Sequence, residues 1–262
     1  MKTLRDFAKA RKSGEKIAML TAYDASFARL AAEAGADCLL VGDSLGMVVA
    51  GHQSTVPVSV AEMAYHAAAV ARGAPDCWRV VDMPYLSYAT PEQALETARL
   101  LMQQGQANMV KLEGGSVAQI NVIAALHDCH VPVCAHLGLT PQSVDKLGGY
   151  RQVGRSETEA AWLRERAKDL ELAGADMLVL ECVPPALAAD ITKNAGIPVI
   201  GIGCGKETDG QVLVSYDVLG ISPHLPYFSK NFMSDRGIAA AFADYVAAVK
   251  SQTFPEAQHA RD

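Results

Sequence analysis

Ala34-Gly35-Ala36-Asp37-Cys38-Leu39-Leu40-Val41-Gly42-Asp43-Ser44-Leu45-Gly46 contains one full period of this chain's architecture. Gly35 stands where a helix takes its left-handed stop. A polar hinge follows, and then an apolar run breaks off on an aspartate and a serine set between glycines. The same junction recurs as Ala173-Gly174-Ala175-Asp176 and, more loosely, as Gly105-Gln106-Ala107-Asn108. In each copy the glycine is expected to be the left-handed residue that ends one helix before the next strand starts.

Outward from this stretch, short β-rich runs alternate with longer Ala-rich helical ones. Strands are predicted at residues 17–24, 38–44, 78–85, 109–115, 132–140, 177–183, 198–205 and 218–222. Most are near-continuous apolar runs, the pattern of parallel strands covered on both faces. Helices are predicted at 26–34, 60–72, 91–104, 117–128, 157–173 and 185–194. Eight strands alternating with helices predict a single-domain (β/α)8 TIM barrel over residues 1–262, with a doubly wound open sheet as the alternative. Residues 141–155 form a Gly-containing loop long enough to be a lid. Residues 235–250 read as a terminal helix, and the polar tail from 254 is expected to be mobile.

Composition narrows the function. The chain has 262 residues, half of them hydrophobic, and a net charge of −6 without a basic block. Nucleic acid is therefore not an expected partner. No apolar run is long enough for a bilayer and the N-terminal segment lacks a signal-peptide core, so no membrane partner and a cytoplasmic location are expected. The six cysteines form no C-x-x-C pair and read as free, mostly buried thiols.

In a (β/α)8 barrel the chemistry lies at the carboxyl ends of the strands. Those ends carry Asp43 and Ser44, Asp82, Lys111 and Glu113, His136, and Glu181. Lys111 and Glu113 share one face by period-two spacing. Asp43, Asp82 and Glu113 are hard oxygen donors with no His or Cys beside them, which suits Mg²⁺. Lys111 can pair with a carboxylate or hold an anionic substrate, and His136 can serve as a core hydrogen-bonding group or a substrate contact. Glu181 has no cationic neighbour in sequence and is the candidate general acid/base. Gly201-Ile202-Gly203-Cys204-Gly205 fails the dinucleotide fingerprint, because Lys206 stands at the third glycine, and is expected to serve close packing.

Gly42-Asp43-Ser44-Leu45-Gly46 also fits a serine-nucleophile elbow and the Gly-Asp-Ser-Leu block of an esterase family. That chemistry needs a histidine base, and neither His224 nor His259 has an aspartate three residues before it. An isocitrate lyase-like carbon–carbon lyase would need a catalytic cysteine in a Lys/Gly/His loop, which surrounds none of the six cysteines. A non-catalytic barrel would not need so many ionisable strand ends. The two glycines are expected to let the loop turn sharply, so that Asp43 reaches a metal and Ser44 the acid it holds.

With these residues assembled, the chain resembles the ketopantoate hydroxymethyltransferase family from about residue 3 to 255. The matching blocks include Thr21-Ala22-Tyr23-Asp24, Val41-Gly42-Asp43-Ser44-Leu45-Gly46, Gly51-His52-Gln53-Ser54-Thr55, Val110-Lys111-Leu112-Glu113-Gly114-Gly115, His136-Leu137-Gly138-Leu139-Thr140-Pro141-Gln142-Ser143 and Leu180-Glu181-Cys182-Val183-Pro184. It departs from the family at Cys204, at Val144-Asp145-Lys146 and after Phe254. The resemblance implies a Mg²⁺-dependent barrel enzyme of pantothenate synthesis, forming a large homo-oligomer, a decamer in familiar members. It implies transfer of a hydroxymethyl group from 5,10-methylenetetrahydrofolate to 3-methyl-2-oxobutanoate. By resemblance Asp43 and Asp82 are metal-binding positions, and Glu113 is a third acidic position that acts directly or through water. Asp43, Ser44, Asp82, Lys111 and His136 are then substrate-binding, and Glu181 is the catalytic acid/base.

Overall fold

A computed structural model describes residues 1–261. The chain runs α1 (Leu4–Ser13), β1 (Ile17–Thr21), α2 (Ala25–Glu33), β2 (Cys38–Val41), α3 (Leu45–Val48), α4 (Val60–Gly73), β3 (Trp78–Asp82), α5 (Pro91–Gln103), β4 (Met109–Glu113) and α6 (Val117–Asp128). It continues β5 (Val133–Gly138), α7 (Val144–Leu147), α8 (Glu157–Leu172), β6 (Met177–Glu181), α9 (Pro185–Asn194), β7 (Val199–Ile202), β8 (Gly210–Leu213), α10 (Ser215–Val218) and α11 (Ile238–Lys250). The eight strands are all parallel and close into one barrel in sequence order. The (β/α)8 expectation is met, and the open-sheet alternative falls because β1 pairs with β8.

Local chemistry sets the helix starts. Ser59 and Glu62 form a capping box on α4, as do Ser116 and Gln119 on α6. The Asp24 carboxylate caps α2 by accepting from the Ser26 and Phe27 amides. This ends the first predicted strand before Asp24. The strands are buried along nearly their whole length, as two-sided coverage requires.

Four expectations are corrected. The eighth strand is Gly210–Leu213, whereas residues 218–222 belong to the end of α10 and a turn. Its apolar signal is broken by Gln211, a buried side chain satisfied by Gly205 O and Thr208 Oγ1. Its glycine is a closure requirement, because a Cβ at Gly210 would lie 2.3 Å from Ile17 O. In the loose junction copy the left-handed residue is Gln106 (φ 57°) rather than Gly105. Gly105 is needed for packing instead, since a Cβ there would meet Leu101 O at 2.6 Å and Ala67 Cβ at 3.0 Å. Gly35 (φ 90°) and Gly174 (φ 107°) do take the left-handed stop.

The 141–155 segment is not all loop, since it holds a 3-10 turn (Pro141–Ser143) and α7. The tail is anchored rather than loose. Phe254 is buried against Phe232 and Tyr245, and His259 packs on the Phe254 ring.

Five cysteines are buried and Cys129 is exposed, and all six are free thiols. Glycines 201, 203 and 205 pack closely against Thr208, Phe228 and Pro185, as expected.

Candidate active site

The seven sequence candidates Asp43, Ser44, Asp82, Lys111, Glu113, His136 and Glu181 all line one cavity of about 1420 Å³. Parallel register brings them together. Asp82 at the end of β3 lies opposite Lys111 of β4, Glu113 lies opposite His136 of β5, and Gly138 lies opposite Glu181 of β6. The pairing becomes a line of charge across the floor. Lys111 Nζ is 2.8 Å from Asp82 Oδ1 and 3.4 Å from His136 Nδ1. The same Nδ1 is 3.4 Å from Glu113 Oε1, and His136 Nε2 is 3.4 Å from Glu181 Oε2.

Burial sets the protonation states. Burial and the Lys111 charge push the His136 imidazole down. Its contacts with Glu113 and Glu181 outweigh both and raise it to about 9. Burial also pulls Lys111 down, but the Asp82, Glu113 and Asp43 charges win and hold its ammonium protonated well past its usual range. Glu113 is pushed up by burial and more than recovered by His136, Lys111 and the Gln142 amide, so it stays ionised. Asp43 goes the other way. Burial, and then the Asp82 and Glu113 charges, drive its carboxyl well above the ordinary value.

The donor set is therefore short of positive charge. Asp82 Oδ2 accepts from the Asp43 amide at 3.0 Å and Asp82 Oδ1 is met by Lys111 Nζ, so that one ammonium is left to balance Asp43 and Glu113 as well. Buried carboxylates that outnumber the cations beside them are costly unless a further cation joins them. Among the described residues no three His, Cys, Asp or Glu side chains converge as a ready-made metal cage. Mg²⁺ does not need one, because it usually takes one or two carboxylates and completes its shell with water and substrate. Asp43 and Asp82 fit that requirement. Glu113 is already engaged, since its Oε2 accepts from the Gln142 amide at 3.0 Å while Oε1 faces His136.

Glu181 differs from the rest. Its side chain is 14% accessible, whereas those of Asp82, Lys111, Glu113 and His136 are no more than 5%. It is held at one edge by His136 and open to the cavity at the other, as a group that exchanges protons with a bound molecule must be. Its backbone is fixed by Gly138 (φ 94°), where a Cβ would lie 2.1 Å from Glu181 O.

Ser44 shares a hydrogen bond of 2.9 Å with the Tyr23 hydroxyl. Among the described residues no histidine is hydrogen-bonded to it, so the base of a serine nucleophile is missing. The loop turns sharply as expected, with the Leu45 amide donating to Gly42 O at 3.1 Å, and neither neighbouring glycine takes a left-handed φ to do so. The glycines provide room. A Cβ at Gly42 would lie 2.8 Å from Ser44 Oγ, and one at Gly46 2.5 Å from Val58 Cγ2.

Sequence reasoning missed the residue that ties the floor together. Gln142 is buried, and its Nε2 donates to Asp43 Oδ2 at 2.8 Å and to Met83 O at 3.0 Å. Its Oε1 accepts from the Tyr88 hydroxyl. The available signal was a glutamine directly after Thr140-Pro141, at the end of an apolar strand.

Comparison with known proteins places this geometry in a family. Residues 1–257 match the family model described as ketopantoate hydroxymethyltransferase. The chain is 54% identical over 260 residues to 3-methyl-2-oxobutanoate hydroxymethyltransferase of Stutzerimonas stutzeri, covering 98% of this chain and 97% of that one. Among solved structures, phosphonopyruvate hydrolase in complex with oxalate and Mg²⁺ aligns with a TM-score of 0.62 at 14% identity, over 82% of this chain and 81% of that one. The 2,3-dimethylmalate lyase, a member of the PEP mutase/isocitrate lyase superfamily, aligns at 0.59 and 15% identity, over 100% and 99%. At such identities the likeness to these two structures shows the fold alone.

Proposed function

The chain belongs to the ketopantoate hydroxymethyltransferase family, and from that premise we propose that it transfers a hydroxymethyl group from 5,10-methylenetetrahydrofolate to 3-methyl-2-oxobutanoate. The products are 2-dehydropantoate and tetrahydrofolate. The observation that carries this reading is the floor of the cavity, where a line of Asp82, Lys111, His136 and Glu181 ends on the one partly open carboxylate. Cavity size supports two substrates. Small-molecule pockets run about 300–1,000 Å³, and 1420 Å³ leaves ample space above a five-carbon keto acid.

Asp43 and Asp82 are the residues that would hold Mg²⁺, which when bound supplies Lewis acidity to an α-keto acid. Lys111 stays protonated and offers its charge to the substrate carboxylate. Ser44, oriented by Tyr23, donates a hydrogen bond to the same end. Glu181 accepts the C3 proton, and His136 holds it in place from the far side. Glu113 and Gln142 in turn fix His136 and Asp43. In net terms, the C3–H bond and the two C–N bonds of the methylene bridge break. One O–H bond of water also breaks, a C–C, a C–O and two N–H bonds form, water supplies the oxygen, and the two released protons end on N5 and N10 of tetrahydrofolate. The assembly proposed is the family's homodecamer, readable by sedimentation, and the location is cytoplasmic.

The test is exchange of the C3 proton of 3-methyl-2-oxobutanoate with deuterated water, followed alongside 2-dehydropantoate formation. Wild-type protein should do both, and Glu181→Gln should lose both by at least 100-fold. Rapid exchange by the variant removes Glu181 as base. Undiminished turnover after all divalent metal is stripped removes the Mg²⁺ role.

A further inference from the structure

The reaction occupies the floor of the cavity and leaves its mouth unexplained. Of the residues lining the cavity, Tyr150, Arg151, Arg155 and Arg261 are exposed and Tyr227 and Phe228 half-buried, which puts them at its mouth. Arg261 lies beyond the residues 1–257 that match the family model, in a tail whose sequence suggests no role.

The tail is built to deliver it. Phe254 is buried between Phe232 and Tyr245, His259 packs on Phe254, and Glu256 pairs with Lys230 at 2.7 Å. Beyond these anchors the Arg261 backbone oxygen accepts from the Gln152 side chain, and its guanidinium lies 3.9 Å above the Tyr227 ring. A guanidinium stacked on an aromatic face keeps its in-plane N–H donors free for a planar anion. Arg151 is already held by Glu159 at 2.9 Å. Among the described residues, Arg155 and Arg261 have no carboxylate partner. The mouth is thus cationic on a chain of net charge −6, above a floor rich in carboxylates.

Resting on the assignment of a folate as one-carbon donor, we propose that Arg261 is a specificity-determining residue that binds a carboxylate of the donor's glutamate moiety. That moiety is the only anionic part of the donor, and it lies at the end far from the transferred carbon. A floor-to-mouth arrangement puts the reacting methylene over Glu181 and the carboxylates at the rim, where a free fork of donors can take one in bidentate fashion.

The experiment compares 5,10-methylenetetrahydrofolate with 5,10-methylenetetrahydropteroyl methylamide, in which an uncharged methylamide replaces the glutamate, in wild-type protein, Arg261→Ala, Arg261→Lys and a chain ending at Ala260. In Arg261→Ala, KM for the folate should rise about tenfold, as expected for loss of a charge-assisted bond at an accessible site. KM for the methylamide should hold, so the preference collapses. Arg261→Lys should recover part of the preference, and the shortened chain should match Arg261→Ala. An unchanged preference overturns the proposal, and so does an equal rise in both KM values, which would mean that the tail only shapes the mouth. If wild-type protein turns over neither donor, the assigned reaction fails instead. Calorimetric binding of tetrahydrofolate and tetrahydropteroyl methylamide to wild-type and Arg261→Ala then decides the contact on its own.

Discussion

Lys111→Met is the sharpest probe of the charge arrangement on the cavity floor. Methionine keeps the unbranched shape of the side chain and removes the ammonium 2.8 Å from Asp82 Oδ1. Both side chains are almost fully buried, at 5% and 4% accessibility, so water cannot replace the lost partner. Removing one member of a buried ion pair costs about 3–5 kcal/mol. Unfolding entropy is about 2.1 cal/mol/K per residue, or roughly 0.55 kcal/mol/K for a chain of this length, so Tm should fall by about 5–9 °C.

The deficit should also depend on pH. Asp43 is already raised by burial and by its acidic neighbours, and Lys111 is among the groups that restrain it. A carboxyl with a raised folded pKa is fully stabilising only below its unfolded value near 4, and it loses that stability as pH rises through the folded value. Without Lys111 the folded value moves higher still, so the variant should be further below wild type at pH 8 than at pH 5.

The assay is thermal and urea unfolding in chelator, repeated with saturating Mg²⁺. If Asp43 and Asp82 hold the metal, Mg²⁺ should raise the variant's Tm more than the wild type's, because a competing cation has left. A loss below about 1 kcal/mol in chelator at pH 8 would refute the charge assignments on which this argument depends.

Other perturbations test separate contacts. Gln142→Leu strips partners from Asp43 Oδ2, Met83 O and the Tyr88 hydroxyl. It should cost about 2–4 kcal/mol in denaturant melts and lower kcat/KM more than tenfold, and full activity would show that Asp43 is held by something else. Gly138→Ala drives a Cβ to 2.1 Å from Glu181 O at a left-handed φ of 94°. It should destabilise by about 3 kcal/mol or more and reduce kcat, and a neutral effect in both would mean the backbone yields freely. Asp217 is raised by burial despite hydrogen bonds from Ser222 and Ser229. Wild-type stability should therefore fall relative to Asp217→Asn as pH rises from 4 to 7, and a flat difference between the two urea midpoints would exclude that burial cost.

Much of the barrel was legible because its signals are local. The glycine stops at Gly35 and Gly174 and the apolar runs after them act within a few residues of themselves. Where a residue's role depended on a distant neighbour, the reading failed. Gly105 looked like a left-handed helix stop and is a space maker, because Ala67 of α4 as well as Leu101 O leaves no room for a Cβ there. β8 was misplaced because a glycine and a buried glutamine interrupt its apolar run, and what requires Gly210 is Ile17 O on β1, across the closure of the barrel. The tail looked mobile because its anchors, Phe254 and His259, find their partners on α11 and in the segment before it.

The candidate site divides the same way. That apolar strands end on Asp43, Asp82, Lys111, Glu113, His136 and Glu181 was written in the sequence, since hydrophobic period and strand length are properties of consecutive residues. Which of them meet was decided by parallel register, which sets Asp82 beside Lys111 and Glu113 beside His136 across gaps that no local pattern spans. Only the closed barrel made His136 the link between two carboxylates and brought Gln142 under Asp43. The folded tail alone carried Arg261 to the mouth of the cavity. The physical reason is common to all of these contacts. Secondary structure follows from side chains acting on their own backbone, whereas charge state and contact follow from burial beside groups that only the fold brings near.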